Sequence, residues 1–212
     1  MPKAKLAAPE LAAVEIHGIT RQSCMARSLI AAGTVYGLSS VGPFVREAMA
    51  QEGGGDVEIL NFALTLEYLE AAFYDQALKE VGSLAGETKE IATTLRDNEN
   101  QHVEVLTATI KDLGGTPVKA PGVDFGKSFA DEKSFLMTAQ TFEDLGVSAY
   151  NGAAVDIESK DVLAAAGGIV QVEARHAAAI RFLRGEDITP AAFDEALPMQ
   201  DVLDAAGPFI KP

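Results

Sequence analysis

The sequence predicts an all-α protein, a four-helix bundle with one long crossover between the second and third helices. A short C-terminal helix follows the bundle, and a signal-like segment precedes it. Three observations carry this. Four stretches of 20 residues or more show apolar residues at helical spacing, and glycine, proline or small polar residues break the chain between them. Two of these stretches hold a Glu-x-x-His, Glu99 with His102 and Glu173 with His176, in a chain with only three histidines. The other two hold a Glu-x6-Tyr, Glu67 with Tyr74 and Glu143 with Tyr150, so the chain reads as one helix pair used twice.

Residues 1–50 carry five basic and three acidic groups, and residues 28–45 carry no charge. Arg21 and Arg27 precede that apolar run and Ala48-Met49-Ala50 follows it, the three parts of an export signal with cleavage expected after Ala50. The run is diluted by glycine and serine, so no stable membrane span is expected. Thr20-Arg21-Gln22-Ser23-Cys24-Met25 resembles a twin-arginine signal, with Gln22 where the second arginine belongs. The expected location is therefore the periplasm or cell envelope, with a cytoplasmic protein whose N-terminal helix packs on the domain as the alternative.

Residues 51–56 form a linker, with Asp56 expected to cap the first helix. The bundle is expected over residues 57–185. Its first helix runs from about Val57 to Lys79, with Ile59, Leu60, Ala63, Leu66, Leu69 and Phe73 inward. After a short turn comes the second, from about Glu87 to Leu113, with Ile91, Leu95, Glu99, His102 and Leu106 on one stripe. Gly114, Gly115 and Pro117 end it. Residues 114–130 form the crossover, expected to let the third helix begin at the end of the bundle where the first began. The third helix, capped by Asp131 or Ser128, runs to about Ile157 with Phe135, Leu136, Phe142, Glu143 and Ala149 on one face. Ser159 caps the fourth, Lys160 to Arg184, whose stripe includes Leu163, Ala166, Val170, Glu173, His176 and Ile180. Gly185 ends it. The tail, residues 186–212, is proline-rich, allows one helix near Met199 to Ala206 and should pack across the bundle. With tryptophan absent and aromatics sparse, the core should be mainly Leu, Ile, Val and Ala.

The net charge is −14 and, with +2 on residues 1–50, the remainder carries −16. Such a surface repels nucleic acid and anionic lipid. The single Cys24 excludes an intramolecular disulfide and any Cys-x-x-Cys metal site.

On a helix, residues three apart share a face, so each Glu-x-x-His points a carboxylate and an imidazole the same way. Two such pairs with Glu67 and Glu143 give four carboxylates and two imidazoles, ligands suited to iron or manganese and in vitro to zinc or cobalt. Four negative charges would balance two divalent ions, whereas four bare carboxylates in a core would be very costly. Glu70 rivals Glu67, but the Tyr offset favours Glu67, and aligning the two halves puts Gly146 at the position of Glu70.

This constellation resembles the ferritin-like di-metal carboxylate superfamily, in which two helices supply a Glu each and two supply a Glu-x-x-His. The stretches Asn61 to Tyr74 and Val172 to His176 are similar to the subgroup that includes bacterial desiccation-related proteins. The resemblance implies a pair of metal ions, iron first and manganese second. It also implies that Glu99 and Glu173 bridge them, that Glu67 with His102 and Glu143 with His176 are terminal ligands, and that Tyr74 and Tyr150 are the candidate catalytic side chains nearby. Dioxygen or peroxide would be the substrate of a di-iron oxidoreductase. A dimanganese catalase-like enzyme and a metal-stapled or metal-free stress-protective protein without turnover are the alternatives. Assembly is left open, and a storage cage is not suggested.

Overall fold

A computed structural model describes residues 55–211. The signal-like segment, Cys24, the Ala50 cleavage point and most of the linker lie outside the described residues. Five helices follow in order: α1 (Asp56–Glu80), α2 (Gly86–Asp112), α3 (Glu132–Ala153), α4 (Lys160–Arg184) and α5 (Met199–Ala206), with a 3-10 turn at Gly207–Phe209. The only β pairing among the described residues is an isolated bridge between Val123 and Ile210. No helix among them is long and apolar enough to cross a membrane.

α1 packs mainly on α2, and α3 mainly on α4. α1 is buried on most of its circumference from Ile59 to Phe73, as its near-continuous apolar sequence requires. α2 buries one stripe, Thr88, Ala92, Leu95, Glu99, His102, Leu106 and Ile110, at the spacing of one helix face. On α4, Leu163 was expected inward and is instead 39 % exposed, while Val162 beside it is buried. The stripe starts one residue earlier than the pattern suggested.

The direction of α3 corrects the sequence expectation. α2 ends beside the start of α1, where the Asn61 amide donates to the Thr116 carbonyl and accepts from Val118 N–H. A short turn there would have started α3 at that end. The long crossover carries the chain to the opposite end, past Phe73, which meets Phe125 edge to face and Phe129 at a tilt. There Glu132, the first residue of α3, accepts from Ala85 N–H and the Thr88 hydroxyl at the start of α2. α3 therefore begins where α1 ends and runs antiparallel to it.

Asp131 caps α3 by accepting from Ser134 N–H at 2.7 Å, and Ser159 caps α4 by accepting from Val162 N–H. Asp56 does not cap α1; it is the first helical residue after Gly55. Its carboxylate instead accepts from Glu158 N–H and Ser159 N–H at 2.7 and 2.9 Å, and so ties the α3–α4 connection to the start of α1. Free N–H groups at a helix start attract a carboxylate from whichever element brings one near.

The core is mainly Leu, Ile, Val and Ala, as the composition implies, with one aromatic cluster set in it. Phe73 touches the rings of Tyr74, Phe125, Phe129, Phe135 and Phe142 at centroid distances of 4.9–5.5 Å. Few aromatics are present, and seven of those described, Phe73, Tyr74, Phe125, Phe129, Phe135, Phe142 and Phe209, are gathered in one cluster. The tail closes over it: Phe209 packs on Phe142, and Val202, Leu203 and Ala206 of α5 are buried. Its approach is tight, since a Cβ on Gly152 of α3 would lie 1.8 Å from the Leu197 carbonyl oxygen.

Candidate metal centre

Four helices each bring part of the expected set to the middle of the bundle. Glu67 comes from α1, Glu99 and His102 from α2, Glu143 from α3, and Glu173 and His176 from α4. All six are buried, and Glu99, Glu143 and Glu173 have no exposed surface. Their donor atoms fall into two groups, Glu67, Glu99, His102 and Glu173, and Glu99, Glu143, Glu173 and His176, each with its donor atoms within 4.8 Å of one another. Glu99 and Glu173 belong to both.

The imidazole contacts exceed what protons can satisfy. His102 Nδ1 lies 3.1 Å from Glu67 Oε2, 3.0 Å from Glu99 Oε2 and 3.0 Å from Glu173 Oε1. One N–H cannot serve three acceptors on three helices. His176 Nδ1 lies 2.8 Å from Glu99 Oε1 and 3.3 Å from Glu143 Oε2. These distances suit an ion pair, yet neither contact has the alignment of a hydrogen bond. Glu99 Oε1, Glu143 Oε2, both Glu173 oxygens and His176 Nδ1 are fully buried without a hydrogen-bond partner. Orphaned buried oxygens and nitrogens converging on one point fit a cation, which can be ligated by all of them at once.

The two tyrosines lie at the centre, and each serves the glutamate of the other's helix. The Tyr74 hydroxyl on α1 donates to Glu143 Oε1 on α3. The Tyr150 hydroxyl on α3 donates to Glu67 Oε1 on α1. The exchange follows from the antiparallel pairing, because seven residues along α1 correspond to seven back along α3. Each hydroxyl occupies one oxygen of its glutamate and leaves Oε2 facing the centre.

The electrostatics match a site built to hold positive charge. Burial pushes Glu67 well above the usual carboxylate range, and neighbouring Glu173 pushes it further. Burial likewise raises Glu143, to about 8. Burial opposes the charge on Glu99 as well, but the hydrogen bond from His102 and the close positive charge of His176 outweigh it and hold Glu99 at about 2. Burial also opposes protonation of the histidines, and the surrounding carboxylates overcome it, raising both to about 12. Tyr74 and Tyr150 are pushed well above the phenol range by burial and then by Glu143 and Glu67 respectively, so their hydroxyls keep their protons and donate.

Residues 55–186 match the ferritin-like domain family. The chain belongs to that family. No curated protein sequence matches it.

Within this ferritin-like domain, Glu70 is a fifth buried carboxylate at the centre, which the four-carboxylate charge balance did not include. It lies outside both donor groups, so the geometry favours Glu67 as the α1 member of the set. A Cβ on Gly146 of α3 would come within 3.2 Å of Glu70 Oε1, so the bare glycine is what makes room for it. Burial, then the charge of Glu173, drives Glu70 well above the usual carboxylate range.

Sequence reasoning passed over Asn98, although it directly precedes Glu99. Its side-chain amide lies 3.0 Å from His176 Nε2, on the side of the ring away from the carboxylates. A groove of about 450 Å³ between α2 and α4 reaches this outer side of both histidines and is lined by Asn98, Gln101, His102, Val172, Arg175 and His176, among others. An amide next to Glu99 in the sequence was the available signal, but only the α2–α4 approach shows which imidazole it serves.

Proposed function

We propose that this ferritin-like protein binds a dinuclear metal centre, with iron as the first choice and manganese as the second, and uses it in oxygen- or peroxide-linked redox chemistry. The observation that carries the reading is the convergence of four carboxylates and two imidazoles with their inner oxygens and nitrogens orphaned. Burying that set without a cation would be strongly unfavourable.

Glu99 and Glu173 would bridge the two ions, Glu67 and His102 would complete one position, and Glu143 and His176 the other. A pair of iron ions bound there would supply electrons to dioxygen or peroxide. The chain's own part is to hold and orient. Tyr74 and Tyr150 hold one oxygen of each terminal glutamate, so the other stays aimed inward. The aromatic cluster and the apolar faces of α1 and α3 keep bulk water out from one side, while the α2–α4 groove leaves a path for small molecules on the other. Burial holds the carboxyl of Glu70 beside the centre toward its protonated form.

The export-like residues 1–50 and the resemblance of Asn61 to Tyr74 and of Val172 to His176 to desiccation-related proteins support a protective role in the cell envelope. Elemental analysis of protein expressed with iron and manganese both supplied tests the reading. About two ions per chain is expected, and their identity separates the di-iron from the dimanganese assignment. An absence of metal that added iron or manganese cannot restore would refute the centre and favour the purely structural reading.

A further inference from the structure

The two halves of the centre share the Glu-x-x-His and Glu-x6-Tyr spacings but differ at most positions around them, and one of those differences touches a candidate ligand. Asn98 precedes Glu99 on α2, and at the equivalent place on α4, preceding Glu173, stands Val172. Asn98 reaches His176 Nε2 at 3.0 Å. Among the described residues, no protein group makes a hydrogen bond to His102 Nε2.

An imidazole that offers Nδ1 to a cation must carry its proton on Nε2, and a buried N–H needs an acceptor. His176 lines the groove but is only 3 % exposed, against 8 % for His102, so water meets its ring less than that of His102. As placed, Asn98 turns its Nδ2 toward His176 Nε2; the amide oxygen and nitrogen are nearly the same size, and a half-turn of the amide puts the accepting Oδ1 at the contact instead. His102 differs. Its side chain is 11 % exposed on the groove, where water can meet Nε2–H but does not lock the ring.

We propose that Asn98 is a positioning residue that makes the two metal positions unequal. By accepting a hydrogen bond from His176 Nε2–H it fixes Nδ1 as the metal-facing nitrogen. The position at Glu143 and His176 is therefore the tight one, and the position at Glu67 and His102, with Val172 in place of the amide, is the exchangeable one. This rests on the dinuclear reading above.

The test is titration of the metal-free full-length protein with Mn²⁺, followed by equilibrium dialysis, for wild type, Asn98→Val, Asn98→Asp and Val172→Asn. Wild type should bind two ions in two separable steps. Asn98→Val should weaken the tighter step about 10- to 100-fold and leave the weaker step unchanged. Asn98→Asp, which still accepts, should keep the tighter step, and Val172→Asn should strengthen the weaker one. Valine already stands at the equivalent place on α4, so Asn98→Val should fold. A readout free of any variant is the ¹⁵N spectrum of the wild type loaded with Zn²⁺, in which His176 Nε2 should be protonated. Two equal steps in the wild type, an Asn98→Val effect on both steps or on neither, or an unprotonated His176 Nε2 would overturn the inference while leaving the dinuclear reading standing. A wild type that binds no metal would overturn both.

Discussion

Removing the two shared carboxylates should abolish the stabilisation that metal confers. Glu99 and Glu173 are the only residues common to both donor groups, so Glu99→Gln/Glu173→Gln disables both positions at nearly constant side-chain volume. A site at a free metal concentration 100-fold above its dissociation constant stabilises the folded state by about 2.7 kcal/mol. Two such sites therefore contribute about 5 kcal/mol. For a domain of this size each kcal/mol moves the midpoint by roughly 2–4 °C, so Mn²⁺ should raise the wild-type Tm by roughly 10–20 °C. In the double variant the rise should fall to a few degrees at most. The assay is a thermal melt of each protein with Mn²⁺ and with a chelator, so each protein is its own control for the effect of substitution alone. A control pair on the exposed part of α2, Glu87→Gln/Glu90→Gln, should retain the full rise. The reasoning is refuted if the double variant keeps most of the wild-type shift, because the ions would then be binding the acidic surface rather than the core.

Three further outcomes are expected. The metal-free protein should lose stability as the pH rises from about 5 to 8. Glu143 goes from an ordinary 4.5 to about 8 on folding, so the folded state holds the extra proton in that window, and the histidines, raised from 6.5 to about 12, extend the loss upward. Metal affinity should rise over the same window, since binding displaces those protons. Urea midpoints with chelator and dialysis with Mn²⁺ at pH 5 and pH 8 check both signs, and parallel trends would contradict them. Phe73→Ala, at a fully buried ring in contact with five others, should cost about 3–5 kcal/mol; a loss under 1 kcal/mol by urea unfolding would show that the cluster collapses to fill the space. Gly152→Ala would place a methyl against the Leu197 carbonyl, which is backbone and cannot swing away. It should expose residues 186–198 to limited proteolysis while leaving metal content intact, and an unchanged digestion pattern would show that the tail does not depend on that approach.

Much of this was legible in the sequence because the signals are local. Helical periodicity located the four bundle helices to within a few residues, and Met199–Ala206 was read with the bounds that α5 has. Each Glu-x-x-His declares its shared face through a spacing of three, with no knowledge of neighbours. Lone carboxylates inside apolar stripes declare a buried polar site for the same reason. That much follows from positions along one chain.

What remained depended on which helices meet and in which direction, and periodicity within a helix carries no such information. The crossover was visible, but not that it reverses α3 relative to α1. That reversal is why Tyr74 serves Glu143 and Tyr150 serves Glu67, and why Gly146 faces Glu70. Asp56 has the composition of a helix cap, yet the α3–α4 connection comes close enough to take its carboxylate. Asn98 reads as an ordinary polar residue until α4 places His176 beside it. The sequence by itself determined the helices and the kinds of side chain brought to the centre; the tertiary structure decided which side chain holds which, because those contacts join residues 69 to 103 positions apart.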